Sequence, residues 1–264
     1  MKKYVNLFVF VFMVGTCFSQ GKAQTKSAVS YKNPVVDIAM PDPTVIKAAD
    51  GYFYVYATES TRNVPIMKSK DLVQWTYCNT AFTNKTRPRF EPKAGIWAPD
   101  INYINNKYVL YYAMSVWGGE QTCGIGVATA DSPQGPFTDH GKMFRSNEIG
   151  VQNSIDPSFL QYEGRNYLVW GSFRGIYVIE LTEDGLSLKP GAEKKRIAGT
   201  AFEAAYIHKH GDYYYMFASI GSCCEGIRST YKVVVGRSKK VWGPYKDKSG
   251  KPMLKNGYSL VIGA

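Results

Sequence analysis

The sequence predicts an all-β fold, specifically a β-propeller, from three observations. After residue 25 helical periodicity is nearly absent, and short aromatic and β-branched runs alternate with turns rich in Gly, Pro, Asn and Asp. Aromatic residues make up 14% of the chain, which agrees with the strand preference of these side chains. A unit of roughly 50 residues recurs four times, and this repeat length is typical of propeller blades.

The first half of each unit predicts a hairpin: an acidic residue, a β run, a polar turn and a second, aromatic run. The four copies are PDPTVIKAADGYFYVYATE from Pro41, PDINYINNKYVLYYAMS from Pro99, IDPSFLQYEGRNYLVWGS from Ile155 and FEAAYIHKHGDYYYMFAS from Phe202. The predicted turns include Asn105-Asn106, Glu163-Gly164 and His210-Gly211.

The second half of each unit predicts two more strands, because a β run, a small polar bend and an aromatic stop recur in it. The copies are PIMKSKDLVQW from Pro65, GIGVATADSPQGPF from Gly124, the looser GIYVIELTEDGLSL from Gly175, and VVVGRSKKVWGPY from Val233. Four-stranded units that cannot bury both faces alone favour a propeller. A β-sandwich gives no reason for the repetition, and solenoid repeats are usually shorter.

The spacing of the units predicts a further blade near the end of the chain. The next unit would open at about residues 255–262, where the sequence has NGYSLVIGA. We expect this segment to begin a fifth blade that is truncated at the C-terminus of this chain. The alternative is a four-bladed ring followed by a stray strand.

The first 24 residues predict a secretory signal peptide. Lys2 and Lys3 precede an apolar run from Val5 to about Val14, which is too short for a transmembrane span, and small and polar residues follow. Residues 25–264 are therefore assigned to the propeller domain, and we expect an exported protein, periplasmic or extracellular. Cys17 follows VGT, which loosely matches a bacterial lipoprotein site, so a lipid anchor at this residue is the alternative.

The formal net charge of +11 does not predict a nucleic-acid partner. Lys and Arg are scattered, and the longest basic runs are as short as EKKR and RSKK. We expect a solvated basic surface with a weak attraction for acidic polymers.

Four cysteines follow the signal, and none has the spacing of a zinc site. They are Cys78, Cys123, Cys223 and Cys224. Because an exported protein permits disulfides, the adjacent pair Cys223 and Cys224 has two open states, a strained bridge or free thiols.

The acids that open the four units suggest chemistry at the propeller axis. Asp42, Asp100, Asp156 and Glu203 each stand at the start of the first strand, so we expect them in register at one end of the ring. Like charges crowded together raise each other's pKa, and such crowding needs a role. Two carboxylates across a pocket can cleave a glycosidic bond, and aromatic side chains suit the C–H faces of sugars.

The chain resembles the arabinan-degrading branch of glycoside hydrolase family 43. The resemblance extends over nearly all of residues 35–252 and is carried by PDPTVI, WAPDINYINNKYVLYY, IGVQNSIDPSF, WGSFRGIYVIEL and GSCCEGIRSTYKVVVGRSKKVWGPYKDKSG. It implies a five-bladed propeller with a central pocket, and an inverting mechanism that uses three carboxylates on three blades.

The same resemblance implies a role for each acid. Asp42 would be the general base, Asp156 would modulate the pKa of the acid and orient it, and Glu203 would be the general acid. Trp97 would form a sugar platform, and Asn153, Ser172 and Asp100 would line the substrate pocket. Alternatively, Trp97 is an aromatic between blades, and Asn153 and Ser172 make only local turn hydrogen bonds.

The chain departs from the family pattern at two places beside these acids and lacks a third feature. Pro41 stands where arabinanases often have His, and EAA follows Phe202 where a proline is usual. The family also has a His near a central metal or water site, and that segment lies beyond this chain. We therefore assign no metal ligand and no organic cofactor, and the resemblance leaves a central Ca²⁺ open.

The predicted function is hydrolysis of α-1,5-linked L-arabinan by a secreted, monomeric enzyme that binds arabinan or arabino-oligosaccharides. One alternative within the family is an α-L-arabinofuranosidase or a β-xylosidase. An alternative from another class is a non-catalytic glycan-binding propeller, which could lose the carboxylates that this chain retains.

Overall fold

The computed structural model describes residues 30–263. Contacts divide the chain into Met1–Lys32 and Asn33–Ala264. In the first unit, the described residues 30–32 form no helix or strand, and every element reported below belongs to the second. The predicted signal peptide and the lipid-anchor site at Cys17 lie outside the described residues.

Within residues 30–263, sixteen strands form four antiparallel sheets, and each sheet contains four strands that are consecutive in the chain. The first sheet contains β1 (Thr44–Lys47), β2 (Phe53–Tyr56), β3 (Pro65–Ser69) and β4 (Trp75–Thr80). The second contains β5 (Gly95–Ile104), β6 (Lys107–Ser115), β7 (Gly124–Ala130) and β8 (Thr138–Arg145).

The third and fourth sheets repeat this order. The third contains β9 (Ser158–Tyr162), β10 (Arg165–Trp170), β11 (Ile176–Glu180) and β12 (Lys195–Ala198). The fourth contains β13 (Glu203–His210), β14 (Tyr213–Ile220), β15 (Lys232–Ser238) and β16 (Ser259–Gly263). The helical elements within residues 30–263 are short: α1 (Ser146–Ile149) and two 3₁₀ turns, Gly226–Arg228 and Met253–Lys255.

Successive sheets pack face to face through apolar clusters. Tyr54 and Ile66 of the first sheet pack against Leu110 of the second. On its other face, the second sheet packs through Val127 against Trp170 of the third. A third cluster joins the third and fourth sheets; it contains Val178, Ile207, Met216 and Val234. Consecutive sheets thus bury their facing sides against each other, as propeller blades do.

The first strands of the sheets lie next to one another, with β1 against β5, β5 against β9 and β9 against β13. The four sheets therefore share an inner edge, and the fold is an all-β propeller as predicted. Two hairpin turns match the sequence: Asn105 and Asn106 have φ of 47° and 62°, and Glu163 and Gly164 have 49° and 74°. Paired positive φ values are those of type I′ turns, which favour Asn and Gly.

The segment predicted to open a fifth blade lies elsewhere. Ser259–Gly263 is β16, which pairs antiparallel with β15 and completes the fourth sheet as its outer strand. The prediction was wrong because the acid and the aromatic hairpin that mark the other openings are missing from NGYSLVIGA, and a single β run fits an outer strand equally well. In the described part of the chain, no helix has the length and apolar character of a membrane span.

Candidate active site

A residue in the left-handed conformation lies shortly before or near the start of the first strand of each sheet. Asp42, Ala98, Asp156 and Ala204 have φ of 49°, 41°, 57° and 51°. This conformation is uncommon for residues other than Gly and costs roughly 1–3 kcal/mol, so the surrounding structure must hold it. This left-handed residue, the kink, marks an equivalent position in each of the four sheets.

In this register the four acids are not equivalent, which corrects the prediction of acids in register. Asp42 and Asp156 occupy the kink itself, while Glu203 comes one residue before Ala204 and Asp100 two residues after Ala98. Bulges interrupt the pairing of β5 between Trp97 and Asp100 and of β13 between Glu203 and Tyr206. A bulge adds a residue and re-aims side chains, and this shift is invisible in an ungapped repeat.

Asp100 links three sheets instead of lining the site in register with the other acids. Its Oδ2 accepts hydrogen bonds from Phe159 N–H at 2.7 Å and Asn102 Nδ2 at 2.8 Å, and its Oδ1 accepts one from Thr44 Oγ1 at 3.4 Å. Burial raises the pKa of this carboxyl to about 6, against the opposing effect of these donors. Asp100 therefore links the first strands of three sheets through hydrogen bonds.

Asp42 is exposed at the start of β1 and is anchored by a threonine. Thr58 Oγ1 donates to Asp42 Oδ2 at 2.5 Å and accepts a hydrogen bond from Ala98 N–H at 2.7 Å. The threonine thus connects the kinks of the first and second sheets. An exposed, oriented carboxylate of this kind can accept a proton from water.

Asp156 ends a loop that α1 supports. Ser146 begins α1, and its Oγ accepts a hydrogen bond from Ser154 N–H at 2.9 Å, while Trp170 Nε1 donates to Ser154 Oγ at 3.1 Å. These buried contacts fix the approach to Asp156. The backbone N–H of Ala204, the residue that follows Glu203, lies near the Asp156 carboxyl and lowers its pKa. Asp156 therefore lies close to Glu203.

Glu203 is half-buried, and both of its carboxylate oxygens accept hydrogen bonds from hydroxyl groups. Ser172 Oγ donates to Oε2 at 2.7 Å, and Tyr231 OH donates to Oε1 at 2.7 Å. Asn153 Nδ2 in turn donates to Ser172 Oγ at 2.9 Å. The structure therefore brings Asn153, Ser172 and Glu203 together in one chain of hydrogen bonds.

The pKa values of Asp156 and Glu203 are both raised. Burial raises the pKa of Asp156 well above its usual range, and the charges of Glu203 and Asp42 add to this effect. Burial also raises the pKa of Glu203; the hydrogen bonds from Ser172 and Tyr231 oppose the shift, and Asp42 reinforces it. Burial thus favours the protonated form of both carboxyls at a pH where an ordinary carboxyl is ionised.

Two tryptophans form an aromatic surface at the start of β5. Trp97 is half-buried, and its ring centroid lies 5.4 Å from that of Trp117, which is 78% exposed. A Cβ at Gly95 would lie 2.4 Å from Trp97 Nε1, so glycine is required for this ring position. Trp117 was not predicted, although an exposed Trp beside two glycines in the β6–β7 connection is a signal that sequence reasoning could have used.

The connection between β14 and β15 supplies Tyr231, which sequence reasoning also missed. A backbone hydrogen bond closes this connecting loop: Thr230 N–H donates to Ser222 O at 3.0 Å. Cys223 and Cys224 lie in this loop, and these two thiols, like those of Cys78 and Cys123, are free. A Tyr in a strongly turned loop after the fourth hairpin has no local pattern that marks it as a partner of Glu203.

Within residues 30–263, no group of three or more His, Cys, Asp or Glu side chains is arranged to hold a metal ion. The chemistry proposed for this site uses only the carboxylates and their hydrogen-bond partners.

Comparison with known proteins connects this geometry to a family. Residues 31–260 match the family described as glycosyl hydrolases family 43. The chain belongs to glycosyl hydrolase family 43. It is therefore a glycosidase that hydrolyses O-glycosyl bonds, and it is similar to arabinan endo-1,5-α-L-arabinosidases.

Two characterised relatives of this family 43 chain are named as extracellular. The chain is 38% identical over 234 residues to the extracellular endo-α-(1→5)-L-arabinanase 1 of Bacillus subtilis, covering 83% of this chain and 71% of that protein. It is 34% identical over 249 residues to an extracellular exo-α-(1→5)-L-arabinofuranosidase of Cellvibrio japonicus, with coverage of 84% and 70%.

A solved structure extends the similarity to a ligand complex. The α-L-arabinanase of Cellvibrio cellulosa complexed with arabinohexaose has a TM-score of 0.78 and 33% sequence identity to this chain. The alignment covers 86% of this chain and 79% of that one.

Proposed function

We propose that this protein is an exported hydrolase of arabinan that cleaves α-1,5-linked L-arabinofuranosyl bonds with inversion of configuration. The observation that carries the proposal is the half-buried Glu203, whose pKa is raised and whose two oxygens are held by Ser172 and Tyr231 beside Asp42 and Asp156. The names of the family 43 relatives, endo- and exo-acting on α-1,5-L-arabinan, support the substrate class.

In the proposed mechanism Glu203 is the general acid and Asp42 the general base. The Glu203 proton goes to the glycosidic oxygen, so that the C1–O bond breaks with the electron pair on the leaving group. Asp42 takes a proton from a water whose oxygen bonds to C1 on the opposite face of the ring, which inverts the configuration. The raised pKa of Glu203 suits the first role, and the exposure of Asp42 to water suits the second.

Asp156 acts through Glu203. A negative charge on one of these neighbouring carboxyls disfavours a charge on the other, so an ionised Asp156 would help Glu203 to keep its proton. The proximity of Asp156 to the backbone of Ala204, the residue after Glu203, supports a role in orienting Glu203.

The sugar would lie between the carboxylates and the aromatic surface. Trp97 and Trp117 offer ring faces for the C–H side of an arabinofuranose, and Asn153 offers polar atoms near Ser172. Asp100 remains a weaker candidate for a substrate contact, because its three hydrogen-bond donors already occupy it.

Product analysis tests this function. Linear arabinan, debranched arabinan and xylan are each incubated with the enzyme, and the products are separated by chromatography. Endo action predicts a ladder of arabino-oligosaccharides from linear arabinan, whereas exo action predicts one short product from the start of the reaction. Release of xylose without arabinose products would contradict the proposed substrate and favour the β-xylosidase alternative.

We further propose a monomeric, five-bladed ring in which a fifth blade packs between the fourth and first sheets. The support is apolar surface on both sheets: Tyr206 and Ile262 are 54% and 64% exposed, and Val45 is 48% exposed. A chain extended by such a blade should melt several degrees higher than the 264-residue chain, because this surface becomes buried. Equal melting temperatures would contradict the five-bladed arrangement.

A further inference from the structure

A second cavity lies apart from the carboxylates and is lined by cations. Its volume is about 340 Å³, and the basic residues around it are Arg62, Arg87, Arg89 and Lys93. Ala94 and Met114 contribute apolar lining. The volume is at the lower end of the range of ligand sites, roughly 300–1,000 Å³, and accommodates a ligand of the size of a sugar residue.

Both acids near this cavity are already neutralised. Glu59 forms a buried ion pair with Arg87, whose guanidinium also donates to Ala94 O at 2.8 Å. Glu91 forms an ion pair with Arg145 and accepts a hydrogen bond from Thr122 Oγ1 at 3.2 Å. The buried ion pair and the Glu91 pair therefore contribute no net charge to the cavity.

Three exposed cations remain without a carboxylate. Among residues 30–263, Arg62, Arg89 and Lys93 form no ion pair. Like charges gathered around one cavity destabilise each other unless an anion binds between them. The cavity thus has a local charge excess of three.

The two guanidinium groups are held by one residue. Arg62 Nε donates to Asn84 Oδ1 at 3.0 Å, and Arg89 Nη2 donates to Asn84 O at 3.0 Å. Asn84 Oδ1 also accepts a hydrogen bond from Asn63 Nδ2 at 3.2 Å, which fixes the amide. The Arg62 Nη groups and most of the Arg89 donors are left free, and such planar forks match a carboxylate in a bidentate way.

The cavity lies at the same end of the sheets as the catalytic carboxylates. Arg62 is four residues after Thr58, the partner of Asp42, and Lys93 is four residues before Trp97. Glu59 accepts a hydrogen bond from Ile96 N–H at 3.0 Å, which ties the two segments together. The segments that line the cavity are therefore continuous in the chain with those that carry Thr58 and Trp97.

We propose that this cavity binds a carboxylate-bearing sugar, a uronate residue of an acidic polysaccharide that carries or accompanies the neutral substrate. The proposal relies on the proposed function only in taking the ligand to be a carbohydrate. Arg62 and Arg89 hold the carboxylate, Lys93 adds charge, and the apolar lining contacts the sugar ring.

The test uses polygalacturonate as the probe and measures its affinity for the full chain at low salt. The variant Arg62→Gln, Arg89→Gln, Lys93→Gln should bind it at least about tenfold more weakly, as expected for the loss of three exposed charge contacts. Its hydrolysis of neutral linear arabinan should stay unchanged, which reports folding and tests the proposed function separately.

A matched variant controls for net charge. Lys240→Gln, Lys248→Gln, Lys255→Gln removes three exposed lysines that follow β15, at the end of the sheet away from Tyr231. It should retain affinity for polygalacturonate. An equal loss in both variants, unchanged affinity in the cavity variant, or equal binding of methyl-esterified polygalacturonate or of polyphosphate would overturn the uronate site.

Discussion

At Glu203 two opposing influences act on a single carboxyl group. Burial raises its pKa, while the hydroxyls of Ser172 and Tyr231 stabilise its charged form. A general acid needs a proton at the working pH and must also release it during the reaction. The balance of a half-buried site and two hydroxyl donors serves both needs.

Replacing Asp156 tests its role as a partner of Glu203. Asp156→Asn removes a carboxyl whose charge would disfavour ionisation of Glu203, so Glu203 should lose its proton at lower pH than in the wild type. The alkaline limb of the rate profile should therefore move to lower pH, and turnover should fall.

The measurement is kcat/KM for arabinan against pH, with the melting temperature as a control for folding. An unchanged pH profile of kcat/KM in a folded variant would mean that Asp156 acts only as a turn residue.

The sequence could point to the proposed catalytic acids but not to all of their partners. Asp42, Asp156 and Glu203 stand in short motifs with proline or alanine after the acid, and these motifs can be compared with a family. Tyr231 reaches Glu203 only because its loop is closed by Ser222 and Thr230. A contact between residues 28 positions apart in the chain depends on the folded loop.

At the scale of strands, the kinks decide where each acid points. The sequence predicted the hairpins well, because Asn105-Asn106 and Glu163-Gly164 are local turn signals. It did not predict the bulge before Asp100, since a left-handed Ala98 has no compositional signature. The repeat therefore aligned four acids that occupy three different positions relative to the kink.

The pH dependence of the free energy of unfolding tests the role of Asp100 as a link between strands. Its pKa is raised from 3.8 to about 6, so the folded state binds a proton more tightly than the unfolded state. Its contribution to stability is present below pH 4 and is lost as the pH rises towards 6 and beyond, by on the order of 2–3 kcal/mol. Asp100→Asn does not titrate and should lack this loss.

Urea unfolding at pH 4 and pH 7 measures the effect. The free energy of unfolding of the wild type, relative to that of Asp100→Asn, should decrease from pH 4 to pH 7. Asp212→Asn, at an exposed turn, should show no such change relative to the wild type. Parallel pH dependences of wild type and Asp100→Asn would contradict the buried, titrating crosslink.

For the whole molecule, the order of the sheets follows directly from the repeated unit. Consecutive strands form each sheet, and consecutive sheets pack through Tyr, Trp and aliphatic side chains, so local pairing and global packing agree. The assignment of β16 failed because the outer strand of a blade carries few long-range signals. The basic composition, interpreted from sequence as a scattered surface, is locally concentrated at Arg62, Arg89 and Lys93.

The most direct test of the catalytic account is hydrolysis of linear arabinan by Glu203→Gln. Glutamine retains an oxygen acceptor for one of the two hydroxyl donors but cannot donate the catalytic proton. We expect a loss of kcat of about 10²–10⁴-fold, with a melting temperature close to that of the wild type. Wild-type rates of arabinan hydrolysis in the folded variant would contradict it.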